Sequence, residues 1–161
     1  MELRSLFALA LSMTVLCVSA TAQDLEPLNY TTIALNEKDQ SYFIDHSEPF
    51  TPKFFGEMET PLGLSEKQPV ESLMFARTPT TFIDSCHPTP HLQYIVILAG
   101  EVEIYVELGD PRKFGPGSVI KLEDLRGQGH YAKVLGNVQP LFAMIKLEAQ
   151  EPSKHHHHHH H

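Results

Sequence analysis

Cysteine is scarce in this sequence. Its 161 residues include two cysteines, Cys17 and Cys86. Residues 1–22 have the pattern of a secretory signal peptide, because Arg4 precedes an apolar run and the small residues 20–22 suit a signal peptidase. Cleavage would leave Cys86 alone, which excludes an internal disulfide. We therefore expect packing, a metal or a dimer to stabilise the mature chain.

Basic residues and long hydrophobic runs are also few. Lys and Arg number 12 against 20 Asp and Glu, and the net charge is −8. This balance argues against nucleic acid or an anionic membrane as a partner, because both bind basic surfaces. The N-terminal apolar run is too short to span a bilayer, which needs roughly 18 apolar residues. The sequence predicts a secreted, soluble protein, with Asn29 in a candidate glycosylation sequon.

Convincing helical periodicity is absent as well. Residues 155–161 are all histidine and have the form of an expression tag, so about 130 residues remain for one domain. We expect an extended N-terminal arm with one or two short strands over residues 23–70, and a barrel over residues 71–150. Short apolar segments separated by turns are typical of an all-β barrel or sandwich. The predicted barrel strands are 73–77, 80–83, 92–98, 102–106, 118–122, 131–135 and 141–147.

Outside the terminal run, histidine is rare, and its positions are informative. The sequence has 11 histidines, and those outside residues 155–161 are His46, His87, His91 and His130. No motif surrounds His46, which we expect at the surface. Two prolines favour an extended backbone between His87 and Gln93. Side chains of a strand alternate between its faces, so one face would carry four polar groups: His87, Thr89, His91 and Gln93.

These segments resemble the two motifs of the cupin family. Cupins are small double-stranded β-helix barrels of jelly-roll type. The first motif has two histidines one residue apart, then Glu or Gln, then a turn glycine. Residues 87–93 with Gly100 are similar, although Thr89 stands where the second histidine is usual and Gln93 where glutamate is usual. The second motif, Pro-x-Gly-x-x-His, is similar to residues 125–130, which keep the glycine and the histidine. The resemblance covers residues 72–148 and implies an all-β, cupin-type barrel.

The resemblance also implies a site inside the barrel. A divalent metal (Fe, Mn, Ni or Zn) would be held by His87, Gln93 and His130, with open positions for water or substrate. Without a carboxylate ligand the ion would keep its full charge and act as a stronger Lewis acid, but the neutral amide would bind it more weakly. His91 would complete the ligand set or act as a general acid or base.

Three functions remain open from the sequence. The leading expectation is a secreted, metal-dependent enzyme for a small oxygenated substrate, catalysing dioxygenation, or an isomerisation, cyclisation or elimination begun by proton transfer. A metal-free isomerase or cyclase would instead use His91, His130 and Gln93 as its catalytic residues. The third is a protein that binds a small ligand without turnover. By analogy with cupins we also expect a homodimer, formed through the N-terminal arm and an outer sheet.

We also predict structural roles for three residues that adjoin the two motifs. We expect Glu123 and Asp124 to shape the turn before Gly127, because Asp readily accepts backbone hydrogen bonds in turns. Cys86 has the opposite parity to His87, so we expect a buried, inert thiol that points away from the pocket.

Overall fold

The computed structural model describes residues 25–149 of the chain. The predicted signal peptide, residues 1–22, and the terminal histidines 155–161 lie outside the described residues. The described part is all β-structure. Its residues form no helix that could cross a membrane.

Eleven strands make up the described chain. They are β1 (Leu28–Leu35), β2 (Ser41–Glu48), β3 (Thr51–Lys53), β4 (Leu62–Leu64), β5 (Val70–Arg77), β6 (Gln93–Ala99), β7 (Glu101–Tyr105), β8 (Arg112–Phe114), β9 (Val119–Leu122), β10 (Tyr131–Leu135) and β11 (Leu141–Leu147).

The strand order is that of a jelly roll. One sheet has six strands in the order β2-β1-β9-β6-β11-β5, and a second has three in the order β10-β7-β8. Two isolated bridges, Ile83 to Lys133 and His87 to His130, attach residues 83–87 to the free side of β10 as an incomplete fourth strand. From β5 onward the chain therefore forms two four-stranded layers, one of β5-β11-β6-β9 and the other of residues 83–87 with β10-β7-β8, as two Greek keys do. This topology confirms the predicted all-β, cupin-type double-stranded β-helix.

Apolar side chains fill the space between the two layers. Alternation along β6 places Ile95 and Ile97 on the inner face, together with Gln93 at the start of the strand. Inner residues of both sheets meet in one buried cluster: Ile33, Ile97, Ile104, Phe114, Ile120 and Leu122.

The N-terminal segment contributes more structure than its sequence predicts. Residues 23–70 contain four strands rather than one or two, and β1 pairs in parallel with β9 inside the main sheet. Strand β2 lies at the edge of that sheet, where one side is open to solvent. Its residues Asp45 to Glu48 are polar for this reason. A search of the sequence for short apolar runs does not find such a strand.

One predicted strand is missing. Residues 80–83 do not form a strand, because a turn in which the Phe82 amide donates to the Pro79 carbonyl (3.1 Å) occupies this position. Only Ile83 retains a bridge to the sheet. The other predicted barrel strands agree with the structure to within three residues at each end, and those at 131–135 and 141–147 agree to the residue.

The inner face of β9 gives a test of this core. Truncation of the fully buried side chain in Ile120→Ala should lower the free energy of unfolding by about 3 kcal/mol, because transfer and cavity terms add. Chemical denaturation followed by far-UV circular dichroism measures this loss. Val138→Ala, at an exposed position, is the matched control and should change stability by less than about 0.5 kcal/mol. Equal effects of the two substitutions would contradict the assigned core.

Candidate functional site

A cavity of about 300 Å³ lies between the two layers of the barrel. Most of its polar groups lie at one end, near the first residue of β6 and near His130, which directly precedes β10. They include Asp84, His87 and Gln93. The opposite end, towards the β6–β7 hairpin, is apolar except for Thr78. The apolar wall consists of Ala76, Phe82, Ile95, Ile97, Val102, Ile104, Ile120, Leu122, Ala132, Val134, Pro140, Phe142 and Met144.

His87 is held beside His130 by the backbone. The two residues exchange a pair of amide-to-carbonyl hydrogen bonds, each 3.1 Å long. The His87 ring is 45% exposed at the mouth of the cavity, and its Nδ1 lies 2.7 Å from the Ser85 carbonyl oxygen. Asp84 Oδ1 lies 3.4 Å from the same nitrogen. A carbonyl oxygen can only accept, so His87 Nδ1 carries the proton in this contact.

His130 is positioned by a buried carboxylate. Asp124 is fully buried, and its Oδ2 lies 2.6 Å from His130 Nδ1. The Asp124 backbone is fixed in turn, because its carbonyl accepts from the Thr89 amide at 2.9 Å. An ionised carboxylate only accepts, so His130 Nδ1 is also the donor. This is the orientation that carboxylates impose on metal-binding and catalytic histidines.

Gly129 makes the approach of these two segments possible. Its φ is +72°, and a Cβ at this position would collide with the His87 carbonyl. Glycine alone combines this backbone conformation with so close a contact. Gly129, which occupies a variable position of the second motif directly before the histidine, therefore has a steric role in forming the site.

The N-terminal segment supports the same loop. Ser41 Oγ donates to the Gly129 carbonyl at 2.5 Å in a buried hydrogen bond. A Cβ on Gly127 would meet the Asp39 carbonyl, and Arg126 Nε donates to Asp39 Oδ1 at 3.2 Å. Residues before the barrel thus hold the loop that presents His130.

Gln93 presents an unpaired oxygen. Its side chain is buried, and its Nε2 donates to Thr89 Oγ1 at 3.0 Å. Thr89 Oγ1 uses its own proton on the His91 carbonyl at 2.8 Å, so it can only accept from Gln93. This chain fixes the amide orientation and leaves Gln93 Oε1 without a hydrogen-bond partner in the described residues. A buried acceptor of this kind needs a partner such as a bound water, an ion or a ligand, and Thr78 Oγ1 and Asp124 Oδ1 are buried in the same way without one in the described residues.

Three potential metal ligands therefore line one cavity. With both Nδ1 atoms engaged as donors, His87 and His130 in their neutral forms each keep a lone pair on Nε2. Their ring centroids are 5.1 Å apart. Together with Gln93 Oε1 they form a neutral donor set of two imidazoles and one amide. Within residues 25–149, no three residues of the types His, Cys, Asp and Glu lie together as a metal site.

Of the predicted site residues, the structure brings together His87, Gln93 and His130 but not His91. His91 does not line the cavity, because the chain bends at residues 90–91 and breaks the alternation expected of an extended strand. Thr89 is buried on the inner side, as its parity predicts.

Two other predictions require correction. Cys86 is exposed rather than buried, because the segment that carries it makes only isolated bridges to β10. The Asp124 carboxylate contacts the His130 ring and accepts no backbone hydrogen bond within residues 25–149, so it orients a histidine rather than shaping a turn. The sequence signal for this role was an acidic residue just before the glycine-rich loop that ends in a histidine.

Comparison with known proteins adds little to this geometry. No protein-family model matches the chain, and no curated protein matches it. Among solved structures, the chain is similar to the cupin domain of Cnp3 from Schizosaccharomyces pombe, with 15% identity and a TM-score of 0.40. The match covers 77% of this chain and 86% of that chain. The fold assignment therefore rests on the strand order described above.

The hydrogen bonds at Nδ1 can be tested without a substrate. At mildly alkaline pH, long-range ¹H–¹⁵N correlation spectra should show His87 and His130 as Nδ1–H tautomers, because each Nδ1 faces an acceptor. His46 and His91 are the internal comparison, since no hydrogen bond from either ring is formed within residues 25–149. An Nε2–H tautomer at His130 would contradict the assigned site.

Proposed function

We propose that this protein is a small-molecule enzyme whose barrel cavity holds a divalent metal on His87, Gln93 and His130. One observation carries the proposal: a buried amide oxygen without a partner shares the cavity with two imidazoles whose Nδ1 atoms are occupied. Each of the three residues therefore has a free electron pair. Fe, Mn, Ni and Zn all accept imidazole ligands, so the donor set suits this group of metals.

The donor set fits such an ion but should bind it less tightly than a set that includes a carboxylate. A divalent ion held by three neutral ligands would supply an undiminished positive charge that polarises a carbonyl or hydroxyl group. The chain contributes the orientation of the ligands through Asp124, Ser85 and Thr89. Such contacts commonly change metal affinity by about 10-fold to 100-fold. Neutral ligands also bind less tightly than carboxylates, so we expect only moderate affinity.

The cavity walls indicate the class of substrate. The wall away from the histidines is apolar, so it favours a hydrocarbon or aromatic body. The polar end would take an oxygen function such as a carbonyl, hydroxyl or carboxylate. Asp84 lines the cavity beside this end and can select for charge, whereas the Lys133 ammonium group lies over the Tyr105 ring, 4.9 Å from its centroid. We propose a small, mainly apolar molecule with one oxygenated end as substrate, and we place its conversion outside the cell.

A metal-free reaction is the second candidate. The contact between the buried Asp124 and His130 favours it, since a carboxylate that orients an imidazole also stabilises the protonated ring after proton abstraction. In this case His130 removes a proton from the substrate, and the free Gln93 Oε1 accepts a hydrogen bond from a substrate hydroxyl and so orients the substrate. His91 takes no part, because it does not line the cavity.

Metal content separates the two candidates. Protein freed of the terminal histidines and loaded with Mn, Fe, Ni or Zn should retain about one ion per chain after dialysis, by inductively coupled plasma mass spectrometry. His87→Ala and His130→Ala should each lose the ion, because each removes an imidazole ligand. Gln93→Glu should bind at least about tenfold more tightly, because a carboxylate replaces a neutral amide.

His91→Ala is the matched control, because it changes a histidine of the same segment that does not line the cavity. It should retain the ion. Substoichiometric metal in the wild type and also in Gln93→Glu would reject the metal site and leave the metal-free reaction. Loss of metal from His91→Ala equal to that from His87→Ala would reject the assignment of Gln93 as a ligand.

A further inference from the structure

Strand β5 is an uncovered edge with apolar side chains on both faces. It lies at the end of the six-stranded sheet, paired on one side with β11. Leu73, Met74 and Phe75 are 56%, 58% and 65% exposed. Leu73 and Phe75 point to the face opposite Ala76, which lines the cavity, so they lie on the outside of the barrel.

The central part of β5 has no feature that protects this edge. Sheet edges are normally shielded by charges, proline or bulges, because their free amides and carbonyls pair with other strands. The central stretch, residues 72–76, contains no charge and no proline. The one irregularity in its pairing with β11 lies before it, at the step from Lys146 to Leu147. A four-residue apolar edge, residues 73–76, therefore remains available.

We propose that β5 pairs with β5 of a second copy of this chain, antiparallel about a two-fold axis at Met74. The two main sheets then become one continuous sheet. In this register Leu73 lies opposite the partner's Phe75, and Ser72 opposite the partner's Ala76. The arrangement is isologous, so each contact occurs twice.

The side chains of β5 suit this register. On the outer face, Leu73 and Phe75 of both copies form a cluster of four apolar side chains. Aromatic and aliphatic residues directly opposite one another are favourable cross-strand pairs. On the inner face, two small residues, Ser72 and Ala76, leave room for the two Met74 side chains at the axis.

The charges at the strand ends select antiparallel pairing. Glu71 lies at one end of β5 and Arg77 at the other. Antiparallel pairing brings Glu71 of each copy to the level of the partner's Arg77, whereas parallel pairing would place like charges together. Arg77 is exposed and forms no salt bridge within residues 25–149. Glu71 contacts Lys146 at 3.1 Å but stays 54% exposed, so its carboxylate can accept a second cation.

This interface differs from the dimer expected through the N-terminal arm, since it uses β5 alone. It also adjoins the cavity, because Ala76 and Thr78 of the same strand region line it. The proposal is independent of the metal site, so failure of either leaves the other standing.

A charge-reversal cycle tests the interface. Sedimentation equilibrium of the protein without its terminal histidines should give a dimer. Glu71→Arg and Arg77→Glu should each weaken it about tenfold, and the double variant should restore it, because both ion pairs are then rebuilt with reversed sign. A monomeric wild type, a dimer unaffected by the single reversals, or a double variant weaker than both would each overturn the proposal.

A cross-link at the axis tests the register. In a Cys86→Ser background, Met74→Cys should form an intermolecular disulfide on mild oxidation, because residues facing each other across antiparallel strands lie within disulfide range. Leu98→Cys, exposed on β6, is the control and should stay unlinked. A dimer in which Met74→Cys remains reduced would reject the two-fold at Met74, and equal linkage of both variants would reject a specific interface.

Discussion

The pair of backbone hydrogen bonds between His87 and His130 is the contact on which the site depends. It attaches residues 83–87 to the second sheet, where no regular strand forms, and so closes one side of the barrel. It also places two imidazole rings 5.1 Å apart between centroids at the cavity. Gly129 is required for this contact, because any Cβ there would collide with the His87 carbonyl. One steric requirement thus serves both the fold and the chemistry.

A second layer of contacts fixes the orientation of the site. Asp124, Ser85 and Thr89 each engage one atom of a cavity residue and leave the atom at its other side free. The free atoms are the two Nε2 nitrogens and the Gln93 amide oxygen. Orientation of this kind removes the entropy cost of ordering the side chains when a ligand binds. The N-terminal segment takes part, since Ser41 holds the loop that carries Gly129 and His130.

The sequence predicted much of the fold, because turns and apolar alternation follow the barrel closely. It predicted β10 and β11 to the residue, and it predicted His87, Gln93 and His130 as residues of one cavity. One or two strands were predicted over residues 23–70 where the structure has four, because an edge strand such as β2 can be polar over half its length. His91 was placed in the cavity by a parity rule that holds only for an unbroken strand, and the chain bends at that residue. The contact of Asp124 with His130 was not predicted, since it depends on the path of the loop between them.

The central claim is that His87, Gln93 and His130 bind one metal ion. X-ray absorption spectroscopy of the protein without its terminal histidines, loaded with one equivalent of zinc, tests it most directly. Multiple scattering from histidine rings counts the imidazole ligands. The account predicts two imidazoles, with the remaining ligands oxygen atoms. A shell with three or more imidazoles, or with none, would contradict it.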